Sequence, residues 1–276
     1  ELLMYSYLPL EEVLTIFKDD IKTKDELIKR YFKKLPKIND ASLKGELETV
    51  KYLISLGAEP NRRILNDASK SGNLELVKYL VSLGITPDKN TLDIASNEGN
   101  LEIMIYLISL GVKPNSFTLH YASESGNLEL VVYLINLGLI PNKFTLDTAS
   151  ENGHLEIVVY LINLGVKPDK VTLHYASESG NLELVVYLIN LGLIPNKFTL
   201  DTASKNGHLE IVVYLINLGI EPDVYTLNKA SASGNLELVM HLIGLGIKSD
   251  KKTLNNAYIF GNLELIEYLK TIIDKN

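Results

Sequence analysis

Glutamate recurs at every twenty-seventh position from Glu48 through Glu75 and Glu102 to Glu264, and five histidines are spread along the same chain at His120, His154, His174, His208 and His241. Carboxylates are the groups of general acid–base catalysis, and histidines with carboxylates are those of a zinc or iron centre. Either chemistry requires convergence. A histidine nitrogen binds zinc at about 2.0 to 2.1 Å, whereas His120 and His174, or His154 and His208, two periods apart, are expected roughly 20 Å apart at one helix diameter per period. Same-row pairs therefore cannot chelate. The chain has no cysteine, which removes thiol chemistry, disulfides and cysteine-ligated zinc or iron–sulfur clusters. It also lacks a G-x-x-x-x-G-K-S/T loop, a G-x-S-x-G elbow and H-E-x-x-H, so no catalytic residue, metal site or cofactor is expected.

The elements that position these residues are punctuated by glycine. Gly45, Gly72, Gly99, Gly126, Gly153, Gly180, Gly207, Gly234 and Gly261 keep the 27-residue period without insertion, as in a repeat array whose units bury their apolar faces on one another. In TLHYASESGNLELVVYLINLGLI, residues 118 to 140, turn signals mark two short helices. Thr118 is expected to cap the first, which carries Leu119 and Ala122 on one face and breaks at Gly126. Asn127 caps the second, with Leu128, Val131, Leu134 and Ile135 as its apolar stripe, Gly138 as its left-handed end and Pro141 as its stop. Each recurrent glutamate then lies in the first turn of a second helix, where its charge complements the macrodipole. The fold expected is an all-α, helix–turn–helix solenoid of about nine 27-residue repeats.

At 46% hydrophobic and 22% charged residues, the 276-residue chain has the composition of a soluble folded protein, and no apolar run is long enough to span a membrane. Its net charge of −7 argues against a non-specific nucleic-acid binder. The opening ELLMYSYLPL has neither a basic start nor a small-residue cleavage site, so no secretory leader is expected and the location is read as intracellular, cytoplasmic. Residues 118 to 165 and 172 to 219 differ only at Glu151 against Lys205, which marks duplication of a two-unit block. The block alternates His120-Tyr121 and His174-Tyr175 with Asp147-Thr148 and Asp201-Thr202.

TLHYAS followed by Gly126, GHLEIV at 153 to 158 and YLINLG at 160 to 165 resemble the ankyrin repeat, whose unit carries TPLH-x-A-A, G-H-L-E-V-V and L-L-x-x-G patterns. The resemblance covers about five sixths of the chain. Threonine replaces the family's usual proline, serine replaces its second alanine, and the unit is about six residues shorter than the usual thirty-three. The six residues LIPNKF between Gly138 and Thr145 leave a tight turn where ankyrins project a hairpin finger. Such short arrays are similar to those abundant in protists and large DNA viruses. The resemblance implies an ankyrin-like, non-catalytic scaffold that presents a concave face to another protein. Transferred residue by residue, that face comprises Glu124, Ser125, Glu151, Asn152, Glu178, Ser179, Lys205 and Asn206 on first-helix ends, with Lys143, Lys170 and Lys197 on the loops.

Other rows allow further readings. Ile105, Val132, Val159, Val186, Val213 and Met240 stand where the ankyrin pattern is usually polar; they form either tighter packing or a stripe through which a structural protein assembles into homo-oligomers. The tyrosines at Tyr52, Tyr79, Tyr106, Tyr133, Tyr160, Tyr187, Tyr214 and Tyr268 read as packing rungs. Phe117, Phe144, Phe198 and Tyr225, with Val171, precede the threonines and are expected to staple back onto their helices, ligand contact being the alternative. Residues 1–35 precede the array of 36–276 and read as two helices, near Leu10–Asp19 and Lys24–Leu35, that cap the stack. YLPLEEVLTIF within them resembles the opening of an F-box without the rest of its pattern, which would make the chain an adaptor recruiting a ubiquitin ligase.

Overall fold

The computed structural model describes residues 8–20, 22–23, 28, 35–260 and 262–273. Apart from Ile28 and Leu35, the helix expected over 24–35 lies outside the described residues, as does Gly261. The described residues are helical, with no strand among them, and the chain forms two compact units, Glu1–Ile140 and Pro141–Asn276. The first contains α1 (Leu10–Ile16) and four helix pairs: α2 (Ile38–Leu43) with α3 (Leu47–Ser55), α4 (Arg62–Ser71) with α5 (Leu74–Ser82), α6 (Lys89–Asn97) with α7 (Leu101–Ser109), and α8 (Ser116–Ser125) with α9 (Leu128–Asn136). The second contains five: α10 (Lys143–Glu151) with α11 (Leu155–Asn163), α12 (Lys170–Ser179) with α13 (Leu182–Asn190), α14 (Lys197–Lys205) with α15 (Leu209–Asn217), α16 (Val224–Ser233) with α17 (Leu236–Gly244), and α18 (Lys251–Phe260) with α19 (Leu263–Ile273). Within each unit, first helices pack on neighbouring first helices.

First helices begin three residues earlier than the sequence suggested. Asn115, not Thr118, is the N-cap of α8: its side-chain oxygen accepts from the Phe117 and Thr118 N–H groups at 2.9 and 3.3 Å. Thr118 occupies the third helical position, and its Oγ1 accepts the Asn115 N–H at 3.2 Å. This reciprocal box satisfies amides at both sides of the cap. The threonine hydroxyl also donates to the preceding pair, from Thr118 to Asp93 at 2.8 Å, Thr172 to Asp147 at 2.9 Å and Thr226 to Asp201 at 2.7 Å. One buried hydroxyl therefore fixes a helix start and a neighbour.

Second helices carry the other tie. Asn181 Oδ1 accepts the Leu184 N–H at 3.0 Å, capping α13, while its Nδ2 donates to the Gly153 carbonyl of the previous pair at 2.8 Å. Asn73, Asn127 and Asn235 repeat the bond to Gly45, Gly99 and Gly207 at 2.7, 2.8 and 2.8 Å. Where histidine replaces asparagine, His208 makes no side-chain cap and its Nε2 instead meets the Glu178 carbonyl at 2.8 Å. The ring fills the space beside Gly180, whose φ is +84° and where an added Cβ would lie 2.7 Å from His208 Cε1.

The core of each unit is built from Leu119, Ala122, Leu130, Val131, Leu134 and their equivalents, which are fully buried from Leu65 to Leu242 and less completely so in the first and last pairs. The stripe expected through Leu128 and Ile135 is thus turned toward Leu130; Leu128 and Ile135 are half-buried. Within the second unit, α13 touches both its own first helix α12 and the neighbouring α15, so the adjacent positions Leu184 and Val185 both become interior. At the N-terminal side, α1 buries Leu10, Val13 and Leu14, with Leu10 and Leu14 clustered around Ile28, Leu35 and Tyr52. Glu46, in the asparagine register, makes no side-chain cap to α3. The Glu11 carboxylate takes that role, accepting from the Glu48 and Thr49 N–H groups at 3.1 and 2.7 Å.

Asn181→Ala is expected to remove a cap and a cross-pair hydrogen bond together, lowering stability by about 1 to 3 kcal/mol. Chemical denaturation checks this, with Asn190→Ala at an exposed helix end as a control expected to change stability by no more than about 0.5 kcal/mol.

Candidate ligand-binding face

Placing threonine at the third helical position determines where its predecessor points. One residue is about 100° of helix, so with the threonine turned inward the second position faces outward. In Pro141–Asn276 this row begins with Phe144, Val171, Phe198 and Tyr225, which are 57%, 39%, 64% and 49% exposed, and ends on the exposed Lys252. They do not form the buried staple expected from sequence.

The rings sit in a built setting. His174 stacks on Phe198 with centroids 4.2 Å apart and planes at 22°, and its Nδ1 lies 3.0 Å from the Thr202 hydroxyl. Burial holds the His174 imidazole below its ordinary pKa, with Glu178 opposing and Lys205 reinforcing the shift, so the neutral ring is favoured. His174, Phe198, Tyr225, Glu178, Lys205 and Lys229, with Asp201 and Thr202, line a groove of about 180 Å³. Lys229 Nζ stands 5.0 Å from the Tyr225 ring centroid, within cation–π range.

Ion pairs support the floor. Lys197 Nζ donates to Asp201 at 2.7 Å, to Asp223 at 2.8 Å and to the Thr226 hydroxyl. Partial burial pushes the Asp223 carboxyl up, but the hydrogen bond and charge of Lys197 and the Thr226 N–H and hydroxyl outweigh it and hold the pKa at about 2. Lys143 is similarly engaged, 2.5 Å from Asp147 and 3.0 Å from Asp169. In Glu1–Ile140 the corresponding face has a groove of about 310 Å³ lined by Asp67, Lys70, Asp93, Glu98 and Tyr121 among others. There Lys70 pairs with Glu98 at 3.4 Å and Lys89 Nζ lies 5.1 Å from the exposed Phe117 ring. Burial also lowers the His120 pKa, against Glu124. Among the described residues, no group of three histidine, aspartate or glutamate side chains could hold a metal ion, and no helix is long and apolar enough to cross a membrane.

Residues 38–118, 92–172 and 146–226 each match the family profile of ankyrin repeats. This chain belongs to the ankyrin-repeat family. The ankyrin repeat domain of human ASB11, known from a crystal structure, is similar in fold, with 21% sequence identity over 68% of this chain and 99% of that chain and a TM-score of 0.51. No curated protein matches the sequence. Ankyrin repeats are generally non-catalytic scaffolds for protein–protein interaction.

The ankyrin positions transferred from sequence divide by role. Glu178 and Lys205 converge in the groove; Glu124, Glu151 and Lys170 are exposed on first helices. Ser125 and Ser179 instead serve the turns, donating to the Ala122 and Ala176 carbonyls at 2.8 Å and accepting the Asn127 and Asn181 N–H groups at 3.3 and 3.2 Å. Asn152 and Asn206 donate to the Thr148 and Thr202 carbonyls at 3.0 Å, closing their helices. Lys143 and Lys197 are tied into ion pairs, so their charges are partly neutralised. Val132, Val159, Val186 and Val213 of the assembly row are half-buried, while Ile105 and Met240 are 43% and 46% exposed. The exposure of the aromatic row favours its alternative reading as a contact surface over the staple; Asn115, Asn142, Asp169, Asn196 and Asp223, stronger capping residues than threonine, are its readable signal.

Lys197→Met is expected to move the Asp223 titration from about 2 toward an ordinary carboxylate value, measurable by carbon-detected NMR. A depressed folded-state pKa adds stability above the unfolded value and loses it as pH falls through the folded one. The variant's deficit should therefore be present at neutral pH and vanish toward pH 2.

Proposed function

We propose that this chain is a non-catalytic, intracellular scaffold that holds a protein partner on the face of its first helices, the face the ankyrin resemblance makes concave. The observation carrying this reading is the exposed row Phe144, Val171, Phe198 and Tyr225 beside Glu178, Lys205 and Lys229. Large rings held in place contribute contact area at little cost in ordering, and such anchors dominate binding energies. Residues 1–35 belong to this reading as a cap: Leu10 and Leu14 of α1 pack with Ile28, Leu35 and the array's Tyr52, and Glu11 caps α3, which disfavours a recruiting role for YLPLEEVLTIF.

Assembly through the Ile105-to-Met240 row is the competing reading. The half-burial of its four valines favours packing, and the expected result of sedimentation over a hundredfold concentration range is a concentration-independent monomer. Replacing Phe144 and Phe198 by serine should leave stability within about 1 kcal/mol while abolishing affinity capture of the partner. Capture that survives in this folded variant would remove the aromatic face from the binding site.

A further inference from the structure

We propose that the first-helix face of Pro141–Asn276 is a docking track for a proline-rich segment in the polyproline-II conformation, one turn of ligand per repeat. The proposal rests on the scaffold reading above and assigns the chemistry of its partner. Phe144, Val171, Phe198 and Tyr225 supply one exposed apolar side chain in each of four consecutive repeats, each at the second position of its helix. Neighbouring first helices are in direct side-chain contact, Thr172 to Asp147 at 2.9 Å and Thr226 to Asp201 at 2.7 Å. Packed helices stand about 8 to 10 Å apart.

The ligand must present the same face at that interval. A polyproline-II segment has three residues per turn at about 3.1 Å each, so its face recurs every ~9.3 Å. A β-strand recurs after about 6.6 to 6.8 Å and loses register by the second ring. An α-helix recurs every 5.4 Å and meets the row only at alternate turns. Proline rings dock on aromatic surfaces, and the preformed helix has little ordering entropy left to lose. The receiving ring is also preordered, because Phe198 is stacked on His174, itself held by Thr202. Charge varies along the track: Glu151 on α10 and Glu178 on α12 stand at one end, where Lys170 is also exposed, and Lys205 on α14 and Lys229 on α16 stand at the other. The ligand is accordingly a proline-rich segment with a basic end and an acidic end.

Titration calorimetry on the full chain tests the periodicity. The probes are two synthetic peptides of about fifteen residues, five turns, each with arginines at one end and glutamates at the other. One has proline at every third position; the other has the same composition with irregular proline spacing. The periodic peptide is expected to bind one-to-one, about tenfold or more tighter than the irregular one, a difference of at least ~1.4 kcal/mol. Phe198→Ser, with an unchanged melting curve, should lose that advantage. Lys205→Glu, a change the duplicated block already accommodates at Glu151, should weaken binding further. Equal affinity for both peptides, or binding of neither, overturns the proposal. If neither binds while Phe198→Ser still abolishes capture of a protein partner, the polyproline assignment falls and the scaffold reading stands; if capture is also unaffected, the face itself is wrong.

Discussion

Two helix pairs placed side by side form no backbone ladder with each other, because the interior amides and carbonyls of each helix are paired within it and only the ends have groups to spare. Apolar contact alone would let such pairs slide. What fixes one pair on the next is a small set of side chains that bond to a helix end and to the neighbour at once: the asparagine between Gly126 and Leu128 and its equivalents, and the buried threonines donating to an acid one pair earlier. These groups do not act independently of helix formation. Losing the neighbour leaves the capping asparagine with only one of its two bonds, so local and tertiary order are coupled, as expected when stability is a sum of nearest-neighbour terms.

The same constraint explains the two-unit alternation. His174 accepts or donates at Thr202 of the following repeat, and Asp201 of that repeat accepts from Thr226 of the next. The His-Tyr and Asp-Thr pairs read as two surface chemistries are therefore also two halves of the stacking contact, and only their outer sides remain for a ligand. His174 shows both uses, bonding the next pair through Nδ1 while stacking on the exposed Phe198.

Most of the fold was legible because an unbroken period constrains every copy together. Gly126 and Gly138 marked the helix ends, and Leu119, Ala122, Val131 and Leu134 fell inside as their spacing required. The rest was hidden for different reasons. Thr118 is a plausible cap in isolation, but the capping box uses it at the third position, and that three-residue displacement moved Phe144 and Phe198 from an expected staple to the surface. Ser125, Ser179, Asn152 and Asn206 looked like surface polar groups; their bonds to nearby carbonyls depend on turn geometry that residue type alone does not specify. Glu11 as the cap of α3 was equally hidden, since its partners lie 37 and 38 residues away.

The duplicated block has a consequence for how the chain reaches this state. Residues 118 to 165 and 172 to 219 are nearly the same sequence, and the Thr172–Asp147 contact is reproduced by Thr226–Asp201. A chain that docks the later copy in place of the earlier one forms native-like local interfaces and merely loops out the intervening residues, whose closure entropy grows only slowly with length. Discrimination against that slipped topology comes mainly from the interior surface the excluded block fails to bury. Correct register in this molecule is thus enforced by completeness of the stack more than by the identity of any one junction, and refolding should pass through competing arrangements that differ by whole blocks.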